Sequence, residues 1–234
     1  YYENNIIASD NCRFIKEAKK QERNIFFYTD GTEYIDDDTI KVTSYSQTAT
    51  EKIWSFLVDS INEKNGLFYI HLLYESHYSY PNPYTSEELE IKGSYILFDY
   101  LDKNGGQIKK DYIKQQKDAL LYIDDVVIPL IECIPCRMVL YADHGNILIP
   151  RGGSLKDIER TKFTFHEDII QVPLAMKSPE TVSGVNKNLT SIQELNSIII
   201  ALMKQEKVII RGNDFVKVMR SEIYNPEVRC VYKM

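Results

Sequence analysis

Residues Cys136–Gly152 read CRMVLYADHGNILIPRG, and the interpretation of the fold starts from this stretch. Its apolar run Met138–Tyr141 is short, partly β-branched and soon followed by Gly145, which is typical of a buried strand. Asp143 and His144 then follow the carboxyl end of that strand, where open α/β sheets bind ligands. A carboxylate and an imidazole suit a divalent metal ion. The simpler alternative is that Asp143 caps a turn and His144 is an ordinary loop residue, and the dipeptide alone favours that alternative.

Helical and strand patterns alternate along the chain, which predicts an α/β fold. The continuous apolar runs Asn24–Tyr28 and Leu67–Leu73 are typical of strands in a parallel sheet covered on both faces. Helical periodicity predicts helices over Asn11–Gln21, Thr48–Lys64 (marked by Trp54, Leu57, Val58 and Ile61), Asp111–Ile131 and after a capping box at Ser191. We therefore expect a mostly parallel central sheet flanked by helices. Because no repeat or low-complexity linker divides the sequence, we predict a single domain over residues 1–234.

Weaker signals complete the secondary-structure prediction. Extended segments are expected at Ile169–Met176, Val208–Arg211, Phe215–Met219 and Arg229–Tyr232. One face of the long helix is marked by residues that include Ala119, Leu120, Ile123, Val127 and Leu130. Pro129 should kink or end that helix within its last turn, because proline lacks an N–H. The acidic run Asp36–Asp38 is interpreted as a solvated loop, because adjacent carboxylates point in different directions.

Composition excludes several classes of protein. The 234 residues are 44% hydrophobic, enough for one substantial core, and the net charge of −6 argues against a basic nucleic-acid-binding surface. No apolar run reaches the length of a transmembrane helix. The first residues lack the features of a signal peptide, but the chain begins at Tyr1 rather than Met, so we expect an upstream segment. The compartment and the oligomeric state stay open, and an extracytoplasmic location would fit an upstream anchor.

Four segments in a shared order resemble the sulfatase and phosphoethanolamine-transferase branch of the alkaline phosphatase superfamily. In chain order they are LFYIHLLYESHYSYPNPY (67–84), KQQKDALLYIDDVVIPLIECIP (114–135), MVLYADHGN (138–146) and KFTFHEDIIQVPLAMKSPE (162–180). The similar region runs from about Asn11 to Met203. The resemblance implies an alkaline phosphatase-like fold and a metal-dependent hydrolase or transferase acting on sulfate or phosphate esters.

The resemblance also implies a role for each candidate site residue. Asp143 and His144 would bind a divalent metal, calcium in a sulfatase or zinc in a transferase, and His77 would bind the ester oxygens or assist the leaving group. Lys162 matches the sulfatase spacing Lys-x4-Glu-x5-Pro and would contact the anionic group, a part that His166 could take instead. The alternatives are that Lys162 is a solvent-facing charge and His166 a surface imidazole. The substrate would be a small-molecule, glycan or lipid ester.

The sequence departs from the family pattern in its missing catalytic groups. It shows no convincing Ser, Thr or Cys nucleophile and no upstream acidic pair to complete a metal site. The chain begins where the middle of the family's catalytic domain would lie. We therefore expect it to be the C-terminal two-thirds of a catalytic domain that lacks its N-terminal segment. The alternative is a catalytically inactive relative that serves as a binding or scaffold module.

Two overlapping cysteine motifs are not assigned to the mechanism. Cys133-Ile-Pro-Cys136 suggests a thioredoxin-like dithiol. That chemistry needs the first cysteine at a helix N-terminus, whereas this motif ends a predicted helix, whose negative end disfavours a thiolate. Cys133-x-Pro135-x-Arg137 matches the sulfatase pattern for a cysteine converted to formylglycine. In that family the nucleophile lies well before the Asp-His-Gly strand and opens a helix, so the position just before Asp143 argues against this role.

Overall fold

The chain has an α/β structure in a computed structural model. The described residues are 6–7, 12–29, 34–35, 37–44, 49–72, 114, 117–142, 172–187, 190–210, 216–220 and 227–232. The chain divides into two compact units, Tyr1–Pro135 and Cys136–Met234, and each unit is described by itself. The single domain over residues 1–234 stays a prediction. Among the described residues, no helix has the length and apolar character that crossing a membrane requires.

A three-stranded parallel sheet forms the centre of the first unit. Strands β1 (Ile6–Ile7) and β3 (Tyr34–Ile35) form a separate short parallel pair. In the sheet, β2 (Ile25–Thr29) is the middle strand, with β4 (Ile40–Ser44) on one side and β5 (Leu67–Ile70) on the other. The predicted strands at the first two apolar runs are thus confirmed, although the second ends at Ile70.

Two helices of the first unit are confirmed close to their predicted bounds. Helix α1 covers Arg13–Lys20 and buries Ile15 and Ala18. Helix α2 covers Ala49–Asn62 and connects β4 to β5. A helical crossover of this kind joins two parallel strands of one sheet, here on either side of β2, since a tight turn cannot.

The buried face of α2 is not the one marked by its predicted spacing. Lys52, Ile53 and Phe56 are buried, and the Phe56 ring packs edge-on against Phe68 of β5 with centroids 5.2 Å apart. Trp54, Val58 and Ile61 are instead 57%, 56% and 72% exposed. Both stripes have helical spacing, and contact with the aromatic residues of the sheet decides which one is buried.

This assignment predicts a large loss of stability at one aromatic residue of α2 and almost none at another. Phe56→Ala should lower the free energy of unfolding by about 3–5 kcal/mol, because it leaves a cavity beneath α2. Trp54→Ala, the matched control, should change it by less than about 0.5 kcal/mol, because the indole is largely in solvent. Urea denaturation followed by circular dichroism measures both. A larger loss for Trp54→Ala would contradict the packing of α2.

The long helix predicted over Asp111–Ile131 changes type along its length. Residues 117–122 are α-helical, Ile123–Val127 are π-helical, and α3 (Ile128–Glu132) is α-helical again. Residues 111–113 lie outside the described part. The helix passes through Pro129, which lies two residues after the π-helical segment and has no N–H to donate, and it ends at Glu132.

The π-helix explains which side chains of the long helix are buried. The buried side chains are Ala119, Tyr122, Val127 and Ile131. In an α-helix, positions five apart such as Tyr122 and Val127 would lie about 140° apart around the axis. The wider π-turn brings them to one side. The sequence-based face was therefore wrong at Leu120, which is 59% exposed.

The acidic run in the first unit is only partly a solvated loop. The Asp37 carboxylate accepts hydrogen bonds from the N–H (3.0 Å) and Oγ1 (2.6 Å) of Thr39 and pairs with Lys19. Its side chain is 7% exposed, so the prediction was wrong for this residue, whereas Asp38 is exposed. Asp36 lies outside the described residues. The carboxylate stabilises the turn that leads into β4.

The second unit contains two antiparallel strand pairs. Strand β6 (Met138–Tyr141) pairs with β7 (Leu174–Lys177), and β8 (Val216–Arg220) pairs with β9 (Glu227–Tyr232). The predicted strand after Cys136 is confirmed by β6, and the three predicted C-terminal extended segments that overlap β7, β8 and β9 are confirmed there. The parallel arrangement expected for the central sheet is found in the first unit.

Between these two pairs, the described residues are helical over 192–203 and irregular over 206–210. The Ser191 Oγ accepts a hydrogen bond from the Gln193 N–H at 3.2 Å, and a short 3-10 helix, Ile192–Glu194, leads into α4 (Leu195–Met203). The strand expected at Val208–Arg211 was wrong over residues 208–210, which are neither helix nor strand. A short apolar run forms a strand only when another strand pairs with it.

Candidate functional site

The five predicted site residues all lie outside the described part of the chain. They are His77, Asp143, His144, Lys162 and His166. Their roles therefore stay predictions. The structure describes β5, which precedes the segment of His77, and β6 and β7, which precede and follow the segment of the other four residues.

In the second unit, the β6–β7 pair brings the attachment points of two site segments together. Tyr141, the last residue of β6, pairs with Leu174, the first residue of β7. Asp143 follows Tyr141 closely in the sequence, and the segment with Lys162 and His166 precedes Leu174. Both segments are therefore attached at the same end of one antiparallel pair.

An ion pair stabilises the opposite end of β6 and β7. The Arg137 Nε donates to the Glu180 carboxylate at 3.0 Å, and the Arg137 Nη2 makes a second hydrogen bond to it. The Ser178 hydroxyl also donates to Glu180. These contacts lower the pKa of Glu180 to about 2. The bidentate hydrogen bonding to Arg137 is the largest cause, and the hydrogen bond from Ser178 is the next.

The lowered pKa predicts how this ion pair contributes to stability as pH changes. Glu180 normally titrates near 4.5, so its contribution is fully present above that pH and is lost as pH falls through the folded value of about 2. The melting temperature of wild type should exceed that of Glu180→Gln at pH 7, and the difference should disappear between pH 4.5 and 2. Thermal melts across this range test it. Glu206→Gln, at an exposed position in the same unit, is the control; a difference that persists unchanged at pH 2 would contradict the assignment.

In the first unit, the carboxyl edge of the parallel sheet is held by backbone and side-chain hydrogen bonds. Beyond the end of β5, the His71 N–H donates to the Tyr28 carbonyl of β2 at 2.8 Å. The Lys52 ammonium of α2 donates to the His71 carbonyl at 3.1 Å. The chain then continues through Leu72 towards His77. This edge is where parallel sheets bind ligands.

Sequence reasoning missed Lys52. Its side chain is completely buried, although lysine is among the residues least often found inside proteins. The only signal in the sequence is its spacing of four from Phe56, which places both on one side of α2. Spacing of that kind could not by itself have separated a buried lysine from one at the margin of the helix.

A second polar contact fixes α2 against the sheet. The buried Tyr28 hydroxyl donates to the Asp59 carboxylate at 2.6 Å, and the Lys41 ammonium lies 3.2 Å from both oxygens of that carboxylate. These groups join β2, α2 and β4. Their mutual pairing indicates a structural role.

The cysteine pair has the position expected for residues that take no part in redox chemistry. Cys133 caps the C-terminus of α3, and its Sγ lies 3.2 Å from the Pro129 carbonyl. Burial raises the pKa of the Cys136 thiol, and this exceeds the opposing effect of Lys177. A reactive dithiol has its first cysteine at a helix N-terminus, whereas Cys133 lies at a helix C-terminus.

No metal-binding cluster is present in the described ranges, where no three His, Cys, Asp or Glu side chains come together. Asp143 and His144 are not among those residues. The chain matches no protein-family model, and no curated protein or solved structure is significantly similar to it.

Proposed function

We propose that this chain is a sulfatase-like or phosphoethanolamine transferase-like domain with an alkaline phosphatase-like fold. It would be a metal-dependent hydrolase or transferase acting on sulfate or phosphate esters. The observation that supports this best is the β6–β7 pairing, because it attaches the segments of Asp143, His144, Lys162 and His166 at one end of a strand pair. Residues far apart in the sequence would then be available to a single ester group.

The side chains of the proposed site suit an anionic ester. Lys162, or His166 in its place, would stabilise negative charge on the non-bridging oxygens as the bond to the leaving group breaks. His77 would bind those oxygens or protonate the departing alkoxide, since an imidazole titrates near neutral pH. A bound divalent metal would withdraw charge from the same oxygens.

The two proposed metal ligands are of the types that zinc binds, but a zinc site needs more ligands than these two. Asp143 offers a carboxylate oxygen and His144 an imidazole nitrogen, and a nitrogen donor suits zinc better than calcium, which takes oxygen ligands. A zinc site usually has four ligands. Further donors are therefore required beyond these two residues.

Metal content tests the proposal directly. In equilibrium dialysis the wild-type chain should bind zinc, and Asp143→Ala should bind it more weakly, because only one of the two proposed ligands remains. Elemental analysis measures the zinc bound per chain. Asp38→Ala removes an exposed aspartate and is the matched control. Equal metal content in wild type and Asp143→Ala would contradict the site and favour the inactive scaffold alternative.

Anion binding distinguishes Lys162 from His166 as the residue that contacts the anionic group. Lys162→Gln should weaken binding of inorganic sulfate by about 10-fold or more, because a charge-assisted hydrogen bond is lost. His166→Gln should weaken it less, since the sulfatase spacing applies to the lysine. Isothermal titration calorimetry measures both, and Lys187→Gln, at an exposed position of the second unit, is the control. A larger loss for His166→Gln would favour the transferase-like assignment, and no loss for either would contradict an anion site.

A further inference from the structure

Lys52 combines complete burial with an unfavourable position for a cation. Its side chain is 0% exposed, and it lies in the first turn of α2, near the positive end of the helix dipole. Removing an ammonium from water carries a large desolvation penalty, and an apolar side chain of similar volume is often as stable or more stable in such a place. Packing alone therefore does not account for a lysine here.

The hydrogen bond of Lys52 lies at the point where the chain leaves the parallel sheet. The His71 N–H donates to the Tyr28 carbonyl at 2.8 Å, so that β2 holds the amide side of this residue. The Lys52 ammonium donates to the His71 carbonyl at 3.1 Å, so that α2 holds the other side. Both backbone polar groups of His71 are thus fixed, from two different elements.

We propose that Lys52 is a positioning residue that fixes the start of the segment carrying His77. This inference rests on the proposed function for the meaning of His77, but the positioning itself can be tested separately. A lysine suits the task because its ammonium carries three donors on a long stem and reaches a backbone carbonyl from within the helix packing. His77 follows His71 by six residues in the sequence, and misplacement of a catalytic group by about 1 Å can cost 100-fold in rate.

The test compares the His77 imidazole in wild type and Lys52→Met, which keeps the length of the side chain but removes the donor. The chain has four histidines, so selective ¹³C labelling gives four resolvable imidazole signals, and His77→Gln assigns the relevant one. Lys52→Met should shift or broaden the His77 signal. It should also weaken the response of that signal to inorganic phosphate by about 10-fold.

Two control variants separate positioning from a general loss of stability. Phe56→Leu loosens the same helix against the sheet without removing the hydrogen bond to His71, and Lys64→Met removes an exposed lysine just beyond α2. Both should leave the His77 signal in place. Urea denaturation of each variant shows whether the effects follow stability. If Lys52→Met does not fold, Lys52→Leu, which also removes the donor, replaces it in the same measurement.

The measurement separates failure of the positioning role of Lys52 from failure of the proposed function. An unmoved His77 signal in the Lys52 variant overturns the positioning role, as does an equal shift in Phe56→Leu. If wild-type His77 does not respond to phosphate but Lys52→Met still moves its signal, the positioning role stands and the ligand role of His77 fails. A shift confined to the Lys52 variant, with weakened phosphate response, supports both.

Discussion

The first unit depends on one constraint, the two-sided hydrogen bonding of β2. This strand pairs with β4 along one edge and with β5 along the other, so neither edge is left to solvent. Ile25, Phe27 and Tyr28 are all buried, and the Phe27 ring stacks on Tyr69 of β5 with centroids 4.6 Å apart. Because residues on both faces are covered, the side chains of β2 are mainly apolar, although the polar Thr29 is also buried. The same strand provides the hydroxyl that holds α2 and the carbonyl that receives the chain after β5.

Much of this arrangement could be predicted from the sequence, because it depends on local patterns. The apolar runs that form β2 and β5 are continuous, and α2 has helical spacing along its whole length. The burial of Phe56 instead of Trp54 could not be predicted, since both positions have helical periodicity and only the aromatic residues of the sheet distinguish them. The strand predicted at Val208–Arg211 was wrong over residues 208–210 for a related reason, because strand formation depends on a partner strand that local sequence does not reveal.

The candidate site also has one part that local sequence predicts and another that it does not. Asp143 and His144 were found because they directly follow an apolar run, and the strand before them is confirmed as β6. The antiparallel pairing of β6 with β7 is a contact between distant residues, and no local periodicity encodes it. Lys52 was missed because its importance lies in a hydrogen bond to a backbone carbonyl, and a carbonyl carries no signal in the sequence. The resemblance to sulfatases gave roles to side chains but could not supply such supporting contacts.

The π-helix at Ile123–Val127 lets the long helix hold one residue more than a regular α-helix with the same buried face. A π-turn amounts to one extra residue inserted into an α-helix, and each residue of an α-helix turns the chain by about 100°. Loss of a single residue there would give a regular α-helix in which Tyr122 and Val127 are four positions apart, about 40° around the axis, so that both still enter the same core. In a regular α-helix the same loss would rotate the two halves by about 100° against each other, so this segment tolerates deletion of a codon better than a regular helix would.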